Sequence, residues 1–299
     1  MNSPASTQTG VAIRLQFSIE LNYQIYSSSS DFIFSIHAAN TNHQVVISEN
    51  LEISQNIPTV MYTGISEHSR LLRLKATCGS LKLVYSGVID LTHFLAPPNL
   101  ILETLVSSLP GEILTYLYPS RYCQSDFMQD IAIKQFGAIP QGYYRIQAIR
   151  DWVLQHVSFQ SNSSTAHTTA IDTYLTKKGV CRDFAHLMIT LCRALSIPAR
   201  FVTGIDYGSD PILGPTDFHA YVEVYLGGHW YIFDPSGVAI PMGFLRISTG
   251  HDAADTAFST IFGSVSGSAP IISIAAIPNS MGILEIPEHI ISALSTDEY

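Results

Sequence analysis

Phe218-His219-Ala220-Tyr221-Val222-Glu223-Val224-Tyr225-Leu226 and His229-Trp230-Tyr231-Ile232-Phe233-Asp234 flank the pair Gly227-Gly228. Two strand-like runs around two glycines are the signal of a hairpin with a two-residue turn. Pairing Leu226 with His229 fixes the register, so that Tyr225 faces Trp230, Glu223 faces Ile232 and Tyr221 faces Asp234. His219 and Tyr221 are two residues apart and share a sheet face. Directly opposed residues also share a face, which makes Asp234 the diagonal neighbour of His219. The turn chemistry therefore predicts an imidazole–carboxylate pair at the open end of the hairpin.

A base and an orienting group call for a nucleophile, and the segment upstream supplies a candidate. Cys181 opens the strongest helical pattern in the chain, Cys181 to Leu195, with Phe184, Leu187, Met188, Leu191, Cys192 and Leu195 at i, i+3, i+4, i+7, i+8 and i+11. A thiol at that end lies beside unpaired backbone N–H groups and the positive end of the helix dipole, which lowers its pKa. Cys192 follows 11 residues later, roughly 16 Å along the axis, too far for a disulfide. Cys192 is expected in the core, and Cys78 and Cys123 have no activating neighbours. His186 is about 500° round the helix from Cys181 and points away from it. His229 is expected on the sheet face opposite to Asp234. His167 is a possible substrate-side group, and Trp152, Gln155 and Gln160 are candidate donors to an oxyanion.

Working outward, residues 11 to about 95 show short alternating runs, such as Val11-Ala12-Ile13-Arg14-Leu15-Gln16-Phe17 and Leu81-Lys82-Leu83-Val84-Tyr85, separated by Ser, Asn and Gly clusters. They predict an antiparallel β-sandwich that ends near Pro97-Pro98. Helical spacing follows over Gln124 to Phe136, Tyr143 to Val157 and Ala166 to Leu175, the last stopping at a cap around Lys178-Gly179. Strands are expected over Ala199 to Tyr207, Phe218 to Leu226 and His229 to Phe233, with a weakly patterned tail from Phe244 onward. Together these runs predict an α+β chain with a β-rich domain over 1–95 and a catalytic domain over 96–299.

Composition narrows the function. The 299 residues carry 15 basic and 24 acidic side chains, a formal net charge of −9, which speaks against a nucleic-acid binder. Charged residues make up 13% and apolar residues 46%, the balance of a well-buried globular protein rather than a disordered one. The uncharged stretch from Thr256 to Leu284 is broken by Gly263, Gly267, Pro270 and Pro278, so no membrane span is expected. Met1 to Gly10 lacks the pattern of a signal peptide. Four scattered cysteines without a Cys-x-x-Cys pair suggest neither a disulfide scaffold nor a structural metal site, and a reducing, cytoplasmic setting is expected.

Gly179-Val180-Cys181-Arg182-Asp183-Phe184-Ala185-His186, Ile197-Pro198-Ala199-Arg200-Phe201-Val202-Thr203-Gly204, Asp217-Phe218-His219-Ala220-Tyr221-Val222-Glu223-Val224 and Trp230-Tyr231-Ile232-Phe233-Asp234-Pro235 together resemble the transglutaminase-like cysteine-enzyme family. The resemblance covers about Leu95 to Phe262, and the first third resembles the N-terminal domain of the bacterial members. It implies a papain-like core, a nucleophile helix packed on an antiparallel sheet, and a Cys181–His219–Asp234 catalytic triad. Tyr221 stands where the family often has Trp, which keeps the bulk and loses the indole donor. Gly250-His251-Asp252 stands where the bacterial segment usually reads Gly-Arg-Asp, making a positive charge there dependent on pH. The implied activity is acyl transfer from an amide of a peptide or protein substrate, without cofactor or metal. Water as acceptor gives a peptidase or amidase; an amine gives a transglutaminase; deamidation of glutamine and a catalytically idle binding module are the alternatives. Nothing in the chain resembles the calcium-binding loops of animal transglutaminases, which favours hydrolysis.

Overall fold

The computed structural model describes residues 12–63, 68–208 and 216–296; Met1 to Gly10 and the first residue of the Val11 run lie outside them. Strands β1 (Ile13–Phe34), β2 (Gln44–Ile53), β3 (Thr59–Thr63) and β4 (Arg70–Leu91) form the N-terminal third. β1 and β4, 22 residues each, pair antiparallel from Ile13↔Leu91 to Phe34↔Leu72. β2 and β3 both pair with the other edge of β4. Alternate residues of β1, among them Leu15, Phe17, Ile19, Leu21 and Ile25, are buried together with Leu81, Leu83, Tyr85 and Ile89 of β4.

The sandwich arises by bending one sheet. Register shifts between Ile25 and Ser29, where Tyr26, Ser27 and Ser28 oppose the single residue Cys78. The Tyr23 and Phe32 rings are 5.4 Å apart, whereas nine residues of straight strand would span about 30 Å. The extra residues at the bulge turn the long hairpin back on itself, and the aromatic side chains of its two halves close the core.

Between the halves of the chain lie β5 (Phe94–Ala96), α1 (Gln129–Phe136), α2 (Tyr143–His156), β6 (Ser158–Phe159), α3 (Ala170–Thr176), β7 (Lys178–Gly179) and α4 (Cys181–Ala194). Thr169 caps α3 in a reciprocal box with Asp172. The helix ends at Lys177 with φ 57°, one residue earlier than the expected cap, because Lys178 and Gly179 pair in parallel with β6. Strands β8 (Ala199–Asp206), β9 (Phe218–Leu226), β10 (His229–Phe233) and β11 (Phe244–Gly250) form an antiparallel sheet in the order β10-β9-β8-β11. Phe184, Leu187, Met188, Leu191 and Cys192 of α4 are buried against Phe201 of β8 and Ala220, Val222 and Val224 of β9.

On the opposite sheet face Glu223 lies buried between Arg200 (2.7 Å) and Arg246, and the Arg200 guanidinium sits 4.1 Å from the Trp230 ring. Such a dry ion cluster is costly to break by removing one partner.

The weakly patterned tail is ordered by partners distant in sequence. β11 is buried along its whole length. β12 (Ser259–Phe262), β13 (Val265–Gly267) and β14 (Ile271–Ile277) pair antiparallel with the free edge of β1, and β15 (Ala293–Ser295) pairs with β5. Three strands of the first sheet thus come from beyond residue 258. The two sheets also share a core, since Ile205, Leu245 and Ile247 pack with the β1/β4 residues. The Gln44 amide bridges them, donating to Arg246 O (2.8 Å) and accepting from Arg246 N (2.8 Å). Among the described residues no helix is long and apolar enough to cross a membrane.

Candidate functional site

Cys181 is the first residue of α4, half-buried, where backbone N–H groups have no intrahelical partner. The approach to the helix is held by Asp183. Its fully buried carboxylate accepts from Val180 N (2.9 Å) and Ser164 Oγ (2.9 Å), and Arg182 Nη2 lies 3.3 Å away. Gly179 is required beside it, because a Cβ there would lie 2.7 Å from Asp183 Cβ. The thiol opens on a cleft of about 650 Å³ whose walls include Phe159, Phe201, Asp206, Phe218, His219 and Phe258.

The hairpin has the expected register, His229↔Leu226 through Phe233↔Val222, and both turn glycines take positive φ (55° and 93°) as a type I′ turn requires. Its open end brings Asp234 to His219, Oδ1 to Nε2, at 3.4 Å, with both residues buried. The Asp234 carboxylate is fixed by three further donors: Ser236 N (2.9 Å) and Ser236 Oγ (2.6 Å) on Oδ1, and Ala239 N (3.1 Å) on Oδ2. Burial favours its neutral form, but the charge and hydrogen bond of His219 and the Ser236 donors outweigh that and hold it below the usual range.

A second carboxylate occupies the other side of the ring. Asp206, at the end of β8, places Oδ2 3.6 Å from His219 Nδ1 and accepts from Tyr221 Oη (2.7 Å) on Oδ1. The Tyr221 hydroxyl therefore supplies a donor at the position where an indole N–H was expected to be missing. Burial pushes the Asp206 carboxyl up to about 6, against the opposing pull of His219 and Tyr221. Burial by itself would depress His219; the charges of Asp206, Asp234 and Cys181 reverse the balance and raise it well above 6.5. Asp206 was not singled out from sequence. Its signal is the β8–β9 register, Gly204↔His219, which puts Asp206 on the His219 face as a diagonal neighbour.

Cys181 and His219 thus line one cleft, with Asp234 held against His219, and the remaining candidates go elsewhere. Trp152 stacks on His156 (4.3 Å) and meets Phe136 edge-on. Gln155, Gln160 and His167 are exposed, and among the described residues none of these four lines the cleft. His186 accepts from Ala253 N (3.1 Å) and stacks on Tyr122, and burial holds it well below 6.5. His229 stacks on Phe94. Cys123 is buried and pushed up to about 12, Cys192 is buried and raised further, and Cys78 is exposed in the first sheet. His251 is clamped outside the cleft between Asp255 (2.8 Å) and Thr115 (2.7 Å), while Asp252 accepts from Tyr122 N (2.9 Å).

Comparison with known proteins agrees with this architecture. Residues 129–235 match the transglutaminase-like superfamily, and residues 13–111 match the bacterial transglutaminase N-terminal domain. A crystal structure from Cytophaga hutchinsonii, described as a "putative cysteine protease", is 37% identical with a TM-score of 0.88, covering 97% of this chain and 99% of that one. The periplasmic domain of TgpA from Pseudomonas aeruginosa is 17% identical with a TM-score of 0.38, covering 79% of this chain and 92% of that one. An uncharacterized protein of Mycobacterium leprae (strain TN) is 29% identical over 117 residues, which are 38% of this chain and 42% of that protein. The chain therefore spans less than half the length of that curated relative.

Proposed function

The chain belongs to the transglutaminase-like superfamily, and from that premise we propose that it is a cysteine-dependent acyl-transfer enzyme, acting on amide bonds of peptides or proteins through a Cys181 thioester. The observation that carries this reading is the convergence, on one cleft, of a thiol at a helix N-terminus and a buried imidazole held by a carboxylate. Asp234 takes Nε2, so Nδ1 is the nitrogen that serves the reacting groups. The Cys181 thiolate attacks the amide carbonyl carbon, the Nδ1 proton of the imidazolium passes to the leaving nitrogen, and the C–N bond breaks. The Cys181 N–H, at the first helical position, is available to the oxyanion. Water then attacks the thioester, giving its proton to His219, and the C–S bond breaks to return the thiolate.

Hydrolysis is preferred to transamidation because the cleft is open to solvent and the chain lacks resemblance to calcium-binding loops. The four cysteines, all unpaired, fit a reducing, cytoplasmic setting. The test is incubation with a peptide library, followed by mass spectrometry for cleaved, deamidated and cross-linked products. Cleavage that disappears in Cys181→Ala supports the reading. Glutamine deamidation or cross-linking without cleavage would move the activity to glutamine chemistry. Absence of all three with a folded protein would leave a binding role.

A further inference from the structure

His219 is a ring with a carboxylate at each nitrogen. Asp234 and Ser236 account for Nε2, and Asp206 Oδ2 stands 3.6 Å from Nδ1 on the wall of the cleft that holds Cys181. A Cys–His–Asp arrangement needs only one of those carboxylates. The second is nevertheless built in: Asp206 is 2% exposed and anchored by Tyr221 Oη at 2.7 Å. Tyr221 in turn packs on Phe244 of β11 (4.3 Å) and edge-on to the His219 ring (4.8 Å). Leaving a buried carboxylate beside the proton-carrying nitrogen is expensive unless it meets a charge there.

We propose that Asp206 is a positioning residue of the reaction: anchored by Tyr221, its ionised carboxylate holds the His219 imidazolium from the nitrogen that Asp234 leaves free. The inference rests on the cysteine-enzyme reading of the same site. Its consequences follow from charge. The groups that face His219 are Asp206 from β8, Asp217 just before β9, Tyr221 from β9, Asp234 after β10 and Cys181 from α4. An ionised Asp206 stabilises the imidazolium, so the alkaline limit of the thiolate–imidazolium pair moves up. It also repels the Cys181 thiolate and competes with it for the imidazolium, so the acid limit moves up as well. Asp206 thus shifts the whole working range to higher pH. A residue that merely fills space would shift neither limb.

The experiment is the pH dependence of Cys181 alkylation by iodoacetamide, read by mass spectrometry of the labelled peptide, in the wild type, Asp206→Asn and Tyr221→Phe. Asn keeps the shape and can still accept from Tyr221 Oη. Asp206→Asn is expected to move both limbs to lower pH by about 1 unit, the lower end of what one adjacent charge does. Tyr221→Phe removes the donor that favours the ionised carboxylate, so a smaller shift in the same direction is expected near pH 6. Unshifted limbs in both variants, or limbs moved to higher pH, would overturn the role of Asp206. If Asp206→Asn fails to fold, Tyr221→Phe decides alone, since it removes one oxygen and keeps the ring contacts. A wild-type Cys181 no more reactive than an ordinary thiol would instead defeat the enzyme reading on which the inference stands.

Discussion

Asp234→Asn separates orientation of the imidazole from folding, and the structure sets the size of both effects. The carboxylate accepts two Ser236 donors on Oδ1 and the Ala239 N–H on Oδ2. An amide offers one acceptor oxygen. With that oxygen at the Oδ1 position, its NH2 meets the Ala239 N–H, donor against donor; flipped, the NH2 meets the Ser236 N–H. Either way one buried backbone N–H is orphaned, costing about 1–3 kcal/mol, so the substitution is not silent for stability despite its matching shape. Thermal unfolding should fall by several degrees at neutral pH. The sign with pH is definite: Asp234 is held below the usual carboxylate range, so its contribution is present above the unfolded pKa and is lost as pH falls through the folded one. The gap between variant and wild type should therefore narrow in acid. Turnover should fall as well, because Asn favours the wrong tautomer and cannot stabilise the imidazolium. The equivalent change in serine triads costs about 10⁴; a thiol ionised beforehand leans less on its base, so about 10–10³ is expected. The assay is peptide hydrolysis with differential scanning fluorimetry on the same samples, with Asp217→Asn, an exposed carboxylate just before β9, for comparison. Greater loss in Asp217→Asn than in Asp234→Asn would refute the hairpin-based orientation of His219.

Cys181 should alkylate far faster than Cys78, Cys123 and Cys192 in the native protein at pH 6, because only it combines a helix N-terminus with a histidine on the same cleft, and burial raises Cys123 and Cys192; site-resolved mass spectrometry reads this directly. Activity should survive excess EDTA, because acyl transfer by this route uses no Lewis acid; loss on chelation that calcium or zinc restores would contradict the mechanism. Gly179→Ala should cost about 1–3 kcal/mol and lower activity, since its Cβ would press on Asp183 at 2.7 Å; denaturant titration and turnover measure both. Burial holds His37 and His93 at about 4, so they take up protons on unfolding between that value and 6.5. Their contribution makes stability fall as pH drops through that range, and unfolding temperatures measured from pH 7 to 4 check it.

What the sequence shows and what it hides in this chain divide along the range of the interactions. Asp234 could be placed against His219 because a two-residue turn ties both strands, and Gly227-Gly228 leaves one register open to them. The α4 stripe was equally visible, since i, i+3 and i+4 spacing is written along one element. The fate of the tail was not. β13 (Val-Ser-Gly) is three residues long and β12 (Ser-Thr-Ile-Phe) four, and neither has a buried residue, so they are too short to carry a telling alternation of their own. They become strands because β1 offers an unpaired edge more than 200 residues earlier. The bend at Tyr26–Ser28 was hidden for a related reason, because three polar or aromatic residues opposite one cysteine read as a turn between strands rather than a bulge within one.

Asp206 belongs to the same class and matters most for the chemistry. β8 and β9 are joined by a connection of more than ten residues, from Tyr207 to Asp217, so no turn type dictates their register and Gly204↔His219 is set only by packing. Gly204 shows how tight that packing is, since a Cβ there would lie 1.9 Å from Leu245 O. β11 thus fixes β8 from one side, the α4 face fixes it from the other, and Asp206 is delivered to the imidazole as the result. The orienting carboxylate comes from local turn geometry and the proton-side carboxylate from the global assembly of the sheet. Mutations far from the cleft that loosen β11 against β8 should therefore alter the pH range of the thiol before they alter the His219–Asp234 contact.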